Sequence, residues 1–462
     1  MSIRILAGVF FSVMLSGCAG VMHTQNAQEF SGSMHRGDFQ AASQFALTES
    51  GYDTDKQAVE DLLWALEAGA TLSYAGRYEL STKVLDASEK AMKKEDKENL
   101  ANDAAELALS LMGNDAMMKY EQRQADGVMA NTIKAWNFMF EGDYSNARVE
   151  WNRAEDRQRR AAEYFSEQIK AHKEELAEEQ KEGQKNPSEF VNKTLTSEET
   201  SELLVKNGVT FDQWKPYGGY VNPYTTYSYG LNLLVNGSSK SDFNKAADAF
   251  ERVYGLTESS QVKNDMKIAK AMANGKNAAD KMVWVIFENG ESMLKEEFRV
   301  DLPLFLFSDD VAYSGIALPR LKERGLAYPY IEVNGVKTET ISDMDKIIGA
   351  EFEKEFPFIL AREVSRTLLK TVAQKQLSDK NPYAGLAAGL LQAATTSADT
   401  RSFTALPKQF QTAHFKRNGD TVKVKAGAYE LPVHLDAEAD QHIIYVKATT
   451  AAAVPSIRVI NL

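Results

Sequence analysis

The sequence of 462 residues predicts an α+β fold, with a repetitive helical N-terminal part and a smaller C-terminal part containing antiparallel strands. Two observations carry this expectation. Residues 27 to about 275 repeat their apolar positions at helical spacing, with no proline before Pro187. From Met282 onward the apolar residues alternate around Asn-Gly pairs, the pattern of short strands joined by tight turns. A chain this long, with 44% hydrophobic residues, is expected to form two domains, with boundaries at 18–275 and 276–462.

The first residues read as an export signal. A short basic start, Met1 to Arg4, precedes the apolar run Ile5 to Leu15, which is too short to span a bilayer. Small residues Ser16-Gly17 then lead to Cys18, the only cysteine in the chain. Leu15-Ser16-Gly17-Cys18 resembles the lipobox of bacterial lipoproteins. The resemblance implies a signal peptide over 1–17, cleavage before Cys18, and acylation of its thiol and its new amine with palmitate-type chains. Ala19 rather than aspartate follows, so the expected address is the outer membrane, lipid-anchored and facing the periplasm. Several acyl chains hold a protein far more firmly than one.

Charge narrows the partners. With 53 basic and 65 acidic residues the net charge is −12, and it becomes −13 once Arg4 is lost with the signal. Nucleic-acid binding runs on Lys and Arg against phosphates, so this balance argues against it, and equally against a polybasic grip on anionic lipid. With one cysteine no disulfide can form within the chain.

Three helical segments share one spacing: RGDFQAASQFA, AGRYELSTKVL and EGDYSNARVEW. Each has a glycine, an aromatic two residues on and a small residue three further: Gly37/Phe39/Ala42, Gly76/Tyr78/Ser81 and Gly142/Tyr144/Ala147. Large apolar residues follow at Leu85 and Trp151, and KSDFNKAADAFERVYGL is a weaker fourth echo, with Phe243, Ala246 and Phe250. The pattern resembles a degenerate tetratricopeptide (TPR) repeat, which implies a TPR-like solenoid of helical hairpins. In it glycine makes the turn, the aromatic fills the gap between the paired helices, and the small residue lets them approach.

After a Lys/Glu-rich run over 170–185, an irregular aromatic insert is expected at about 183–228. Its FDQWKPYGGYVNPYTTYSYG carries Trp214, Tyr217, Tyr220, Tyr224 and Tyr227 around two prolines and a Gly-Gly, which predicts a loop rather than a helix. These rings are candidate contacts for a glycan or a partner segment; the competing reading is a connection pinned to the helices by buried rings.

In the C-terminal part MVWVIFENG predicts a strand closed at Asn289-Gly290, and LAYPYIEVNGVKTET predicts a hairpin at Asn334-Gly335. A helix is expected over DMDKIIGAEFEKEFPFILAREVSRTLLKTVAQKQ, with Leu360, Val364, Leu368 and Val372 on one face. An Ala/Gly-rich helix is expected over NPYAGLAAGLLQAATTSADTR, and two or three strands at the end. ENG, AREVSRTLLKTVAQKQ and ADTRSFTALP together resemble an uncharacterised family of bacterial envelope lipoproteins that pairs a repeat-like helical part with such a domain. The resemblance implies a place near the peptidoglycan-synthesis machinery and carries over no catalytic residue.

No catalytic constellation stands out. Ser260–Lys263 and Ser292–Lys295 match Ser-x-x-Lys, but no Lys-Ser/Thr-Gly accompanies them, and the chain has no Gly-x-Ser-x-Gly, phosphate loop or His-Glu-x-x-His. His414, His434 and His442 have no common zinc spacing, so neither a metal nor another cofactor is expected. The sequence therefore points to a non-enzymatic scaffold or regulator that binds an envelope protein. Its rivals are an enzyme acting on cell-wall glycan or peptide and an accessory factor of envelope assembly or secretion.

Overall fold

The structure is a computed structural model that describes residues 25–99, 119–179, 196–210, 214, 217, 222–303, 313–380 and 397–462. Cys18, Tyr220 and the expected Ala/Gly-rich helix after residue 380 lie outside these residues. Among them the fold is α+β, with helices first and strands after Ala273 apart from one long late helix.

The helical part begins with residues 25–35 and continues through α1 (Phe39–Glu49), α2 (Leu62–Tyr74), α3 (Tyr78–Asn99), α4 (Gln124–Phe140) and α5 (Tyr144–Glu179). It then runs through α6 (Glu198–Lys206), α7 (Pro223–Asn236), α8 (Lys240–Thr257) and α9 (Ser260–Ala273). Apart from α6, each helix packs on the next. Gly37, Gly76 and Gly142 sit at the three expected turns with φ of +72°, +78° and +75°, a conformation open to glycine at no steric cost. Each turn closes with the same bond. Asp38, Arg77 and Asp143 donate their N–H to the carbonyls of Ser33, Leu72 and Phe138, five residues back.

Gly208 and Gly275 close α6 and α9 with the same bond pattern, so the glycine alone does not mark a repeat. What sets the three expected turns apart is the aromatic two residues on, which works differently from the expectation. Phe39 packs on Tyr74 (5.4 Å between ring centres) and Tyr78 stacks on Phe140 (4.8 Å), each ring meeting the end of the first helix of the following hairpin. Tyr144 instead reaches the carbonyl of Asn461 at the sheet. The gap inside a hairpin is filled seven residues later, two helical turns along the same face. There Leu85 lies against Gly69, where a Cβ would come within 2.5 Å of its Cγ, and Trp151 meets Trp136 edge-on at 5.6 Å. A buried polar cluster ties the middle helices together. Lys134 of α4, 1% exposed, holds Asp86 (2.6 Å) and Glu89 (2.8 Å) of α3 and Glu150 (3.1 Å) of α5.

The expected irregular insert contains helices. Residues 198–206 form α6, and α7 starts at Pro223, inside the stretch read as a loop. The prolines misled that expectation. At the first helical position the missing N–H is one that no helix satisfies, and Asn222 caps the helix by accepting from Tyr224 N at 3.1 Å.

A five-stranded sheet has the order β11-β10-β1-β7-β6, comprising β1 (Met282–Asn289), β6 (Glu339–Asp343), β7 (Gln409–Lys416), β10 (His442–Ala448) and β11 (Ser456–Asn461). A four-stranded sheet, β5-β4-β8-β9, is built from β4 (Glu332–Val333), β5 (Val336–Lys337), β8 (Thr421–Ala426) and β9 (Tyr429–His434). The ribbon β2 (Leu294–Pro303) and β3 (Tyr313–Lys322) packs with the 37-residue helix α10 (Met344–Lys380). Against the antiparallel expectation, β1 and β10 pair in parallel, and 152 residues separate the end of β1 from the start of β10. The expected two or three strands over 420–450 are three, β8, β9 and β10, with β7 before and β11 after them.

All of β1 is buried because both of its faces are covered. Met282, Trp284 and Ile286 face the helices, while Val283, Val285 and Phe287 face the second sheet. The helix-facing cluster runs without a break from Phe30, Trp64 and Trp151 through Tyr224 and Phe250 to Trp284, Phe410 and Ile460. The helical and strand-rich parts thus share one main core.

Candidate functional site

Strand alternation puts two charges into that shared core. Trp284, Ile286 and Glu288 lie on one face of β1, as Ile443, Tyr445 and Lys447 do on β10. The parallel register places Glu288 directly beside Lys447 and Ile286 beside Tyr445. Lys447 Nζ is 2.8 Å from Glu288 Oε2, with the two side chains 4% and 3% exposed. Tyr445 donates its hydroxyl proton to Glu288 Oε1 at 2.5 Å, and the hydroxyls of Tyr224 and Tyr445 are 2.9 Å apart. Because Tyr445 spends its proton on Glu288, Tyr224 is the donor between the two rings.

Aromatic rings wall this polar centre. Lys447 Nζ stands 3.7 Å over the Tyr74 ring, a cation–π contact away from water. Trp136 and Phe140 meet Tyr445 edge-on at 4.9 and 5.3 Å, and Tyr224 stacks on Phe410. Burial pushes Tyr74, Tyr224 and Tyr445 well above 10, so all three keep their protons at neutral pH. Burial also lowers Lys447 from 10.5, although Glu288 opposes the shift. Between the rings is a cavity of about 30 Å³, bordered on the outside by Tyr78, Ser456 and the exposed Arg458. That space suits about two waters. The centre aligns elements from both parts of the fold: α2, α4 and α7 meet β1 and β10 on one carboxylate and one ammonium.

A second polar centre lies beyond the end of β1, where two of the family-like motifs meet. Gly290 turns the chain at φ +72°, and Asn289 accepts from Ala327 N (3.0 Å) and Tyr328 N (3.2 Å) while donating to Tyr328 O (2.6 Å). Arg324 donates to Glu291 Oε1 (3.3 Å), to Thr404 O (2.7 Å) and to Ser292 O. His35, from the first helical segment, is 3.1 Å from Glu291. The third motif lies on α10, where Glu363 and Arg366 pair with each other, both buried.

The aromatic candidates separate. Tyr224 and Tyr227 are fully buried, so these two rings serve the core and cannot meet a partner. Tyr227 donates to Asp265 at 2.9 Å and pairs with Thr412. Trp214 and Tyr217 are half-buried on α10: Trp214 packs over Gly349, and the Tyr217 hydroxyl accepts from Asp343 N at 3.0 Å. Both rings pin the connection.

The three histidines do not converge. His414 on β7 and His442 on β10 have β1 between them, and His434 belongs to the other sheet. Among the described residues no group of three or more His, Cys, Asp or Glu is placed to hold a metal ion. His414 instead sits 3.0 Å from Asp265, a buried carboxylate that also accepts from Trp284 Nε1 at 2.9 Å. Of the Ser-x-x-Lys matches, Ser260 donates to Glu339, and the Ser292 hydroxyl is buried without a hydrogen-bond partner.

Sequence reading missed Glu288 and Lys447. The available signal was a charged residue continuing the helix-facing alternation of each strand, VWVIFE and IIYVK. No family model, no curated protein and no solved structure matches this chain.

Proposed function

We propose that this chain is a lipid-anchored scaffold of the bacterial envelope, held by Cys18 to the periplasmic face of the outer membrane. Its helical hairpins form a TPR-like stack that presents a surface to another envelope protein, one serving peptidoglycan synthesis. One observation carries the reading: successive hairpins are built on one plan, each glycine turn placing an aromatic at its mouth, and two of these rings pack on the following hairpin. Stacks of this kind create extended binding surfaces. The two centres that join the hairpins to the sheet support it further, because a surface used for docking is most selective when its backing is rigid.

Two measurements test the proposal. Cys18→Ala should move the protein from the outer-membrane pellet to the soluble fraction or leave it unprocessed; pelleting as before would overturn the anchor. A photo-crosslinking amino acid at Val149, an apolar residue 44% exposed on α5, should yield one reproducible adduct with an envelope protein in cells. Adducts that vary between preparations, or none, would remove the scaffold reading.

A further inference from the structure

Two buried carboxylates cross the seam between the helical part and the rest of the fold, in opposite directions. Glu67 of α2, 2% exposed, accepts from Thr404 N (2.6 Å) and Thr404 Oγ1 (2.7 Å) on one oxygen and from Ala405 N (2.8 Å) on the other. Glu351 of α10, also 2% exposed, reaches the other way and accepts from Ala125 N at 3.0 Å, in the first turn of α4. Its second oxygen is buried without a hydrogen-bond partner, and so is Nη2 of Arg123, the residue that caps α4. A buried carboxylate with one oxygen unsatisfied is poorly hosted as an anion and well hosted as an acid.

We propose that Glu351 makes its side of this seam a proton-linked joint, which stays closed while the carboxyl group holds its proton and loosens as it ionises, while Glu67, held by three donors, is the fixed side. This inference goes beyond the scaffold reading and does not depend on it.

The surroundings agree. Facing Glu351 are Glu355, one turn on along α10, and Arg123 and Asp126 of α4; Asp126 is held by the Tyr120 hydroxyl at 2.7 Å. Lys295 of β2, with Asp399 and Arg401 beside it, lies near Arg123 and Glu355. Burial, reinforced by Glu355 and opposed by Arg123, pushes Glu351 up to about 8. Facing Glu67 is Arg324, which also holds Glu291, and through it His35. The three donors from Thr404 and Ala405 host Glu67 as an anion against the upward push of its burial.

The sign follows. Glu351 titrates above the ordinary glutamate value of 4.5, so the closed seam binds a proton that the opened seam releases. Closure at Glu351 is fully supported below 4.5 and is lost as pH rises through about 8.

Amide hydrogen exchange of the full chain, corrected for intrinsic rates, between about pH 6 and about pH 9 tests this. Opening of the segment 119–127 should rise about tenfold or more over that range, while 397–408, β1 and β10 change little. Glu351→Gln should flatten the rise in 119–127 and leave 397–408 as it was, and Glu67→Gln should leave the rise in 119–127 in place. Glu355→Gln, at a residue whose side chain is 36% exposed, should move the 119–127 transition to lower pH even if the buried variants fail to fold. An opening that does not vary with pH, or a variation that the Glu351 and Glu355 substitutions leave untouched, would overturn the joint.

Discussion

Lys447→Met is the sharpest probe of how the two parts are joined. It removes a cation whose Nζ lies 2.8 Å from Glu288 and leaves that carboxylate with only the Tyr445 hydroxyl. At an effective dielectric constant of about 20 the pair is worth roughly 6 kcal/mol of Coulomb attraction. Burial nevertheless lowers Lys447 below 10.5, so desolvation of the pair consumes much of that attraction. The two substitutions should therefore differ in kind. Lys447→Met alone strands a buried anion and should cost about 3–5 kcal/mol, a large share of a domain's stability. Glu288→Leu combined with Lys447→Met removes both charges and should cost much less than the single change, with the Tyr445 hydroxyl left to the neighbouring cavity. Urea denaturation of the wild type, both single variants and the double variant measures the coupling. A Lys447→Met cost below about 1 kcal/mol, or a double variant equal to the sum of the singles, would refute the account of a mutually dependent pair.

Two further outcomes follow from the packing. Gly69→Ala gains helix propensity but drives a methyl into Leu85, and should destabilise by about 1–3 kcal/mol in thermal denaturation; adding Leu85→Ala should recover part of the loss, which strict additivity would contradict. At His414 burial pulls the imidazole down, but the Asp265 carboxylate at 3.0 Å, with Glu339 beyond it, more than offsets this and holds the ring above 6.5. The stability it supplies is full below 6.5 and fades as pH rises through the folded value. His414→Gln should remove that slope, and an unchanged pH profile between about pH 6 and about pH 8 would contradict it.

Local chemistry was legible and long-range pairing was not. Gly37, Gly76 and Gly142 could be read as turns because each needs a conformation glycine adopts freely, and β1 because its apolar run is bounded by Asn289-Gly290. The partners of those elements depend on residues far away. Nothing near Tyr78 indicates that it stacks on Phe140 of the next hairpin, and nothing near Glu288 points to Lys447. Pro223 was misread for a related reason: proline stops a helix in the interior but suits its first turn, and only Asn222 as a cap separates the two cases. Tyr224 and Tyr227 fitted either a recognition surface or rings that pin a connection, and the second holds: on α7, three residues apart, they share the inward face.

The parallel pairing of β1 with β10 also sets an order of events. The middle strand of the main sheet takes its neighbour from residues 442–448, and β11 completes that edge with 456–461. Trp136 and Phe140, in the middle of the helical part, find their packing partner in Tyr445. A chain emerging from its N-terminus can wind its hairpins early, because their turns are local. It cannot bury their inner face until nearly the whole polypeptide is present. Premature termination or clipping before about residue 442 would therefore leave an exposed aromatic surface instead of a shorter working protein, a form that quality-control proteases would recognise.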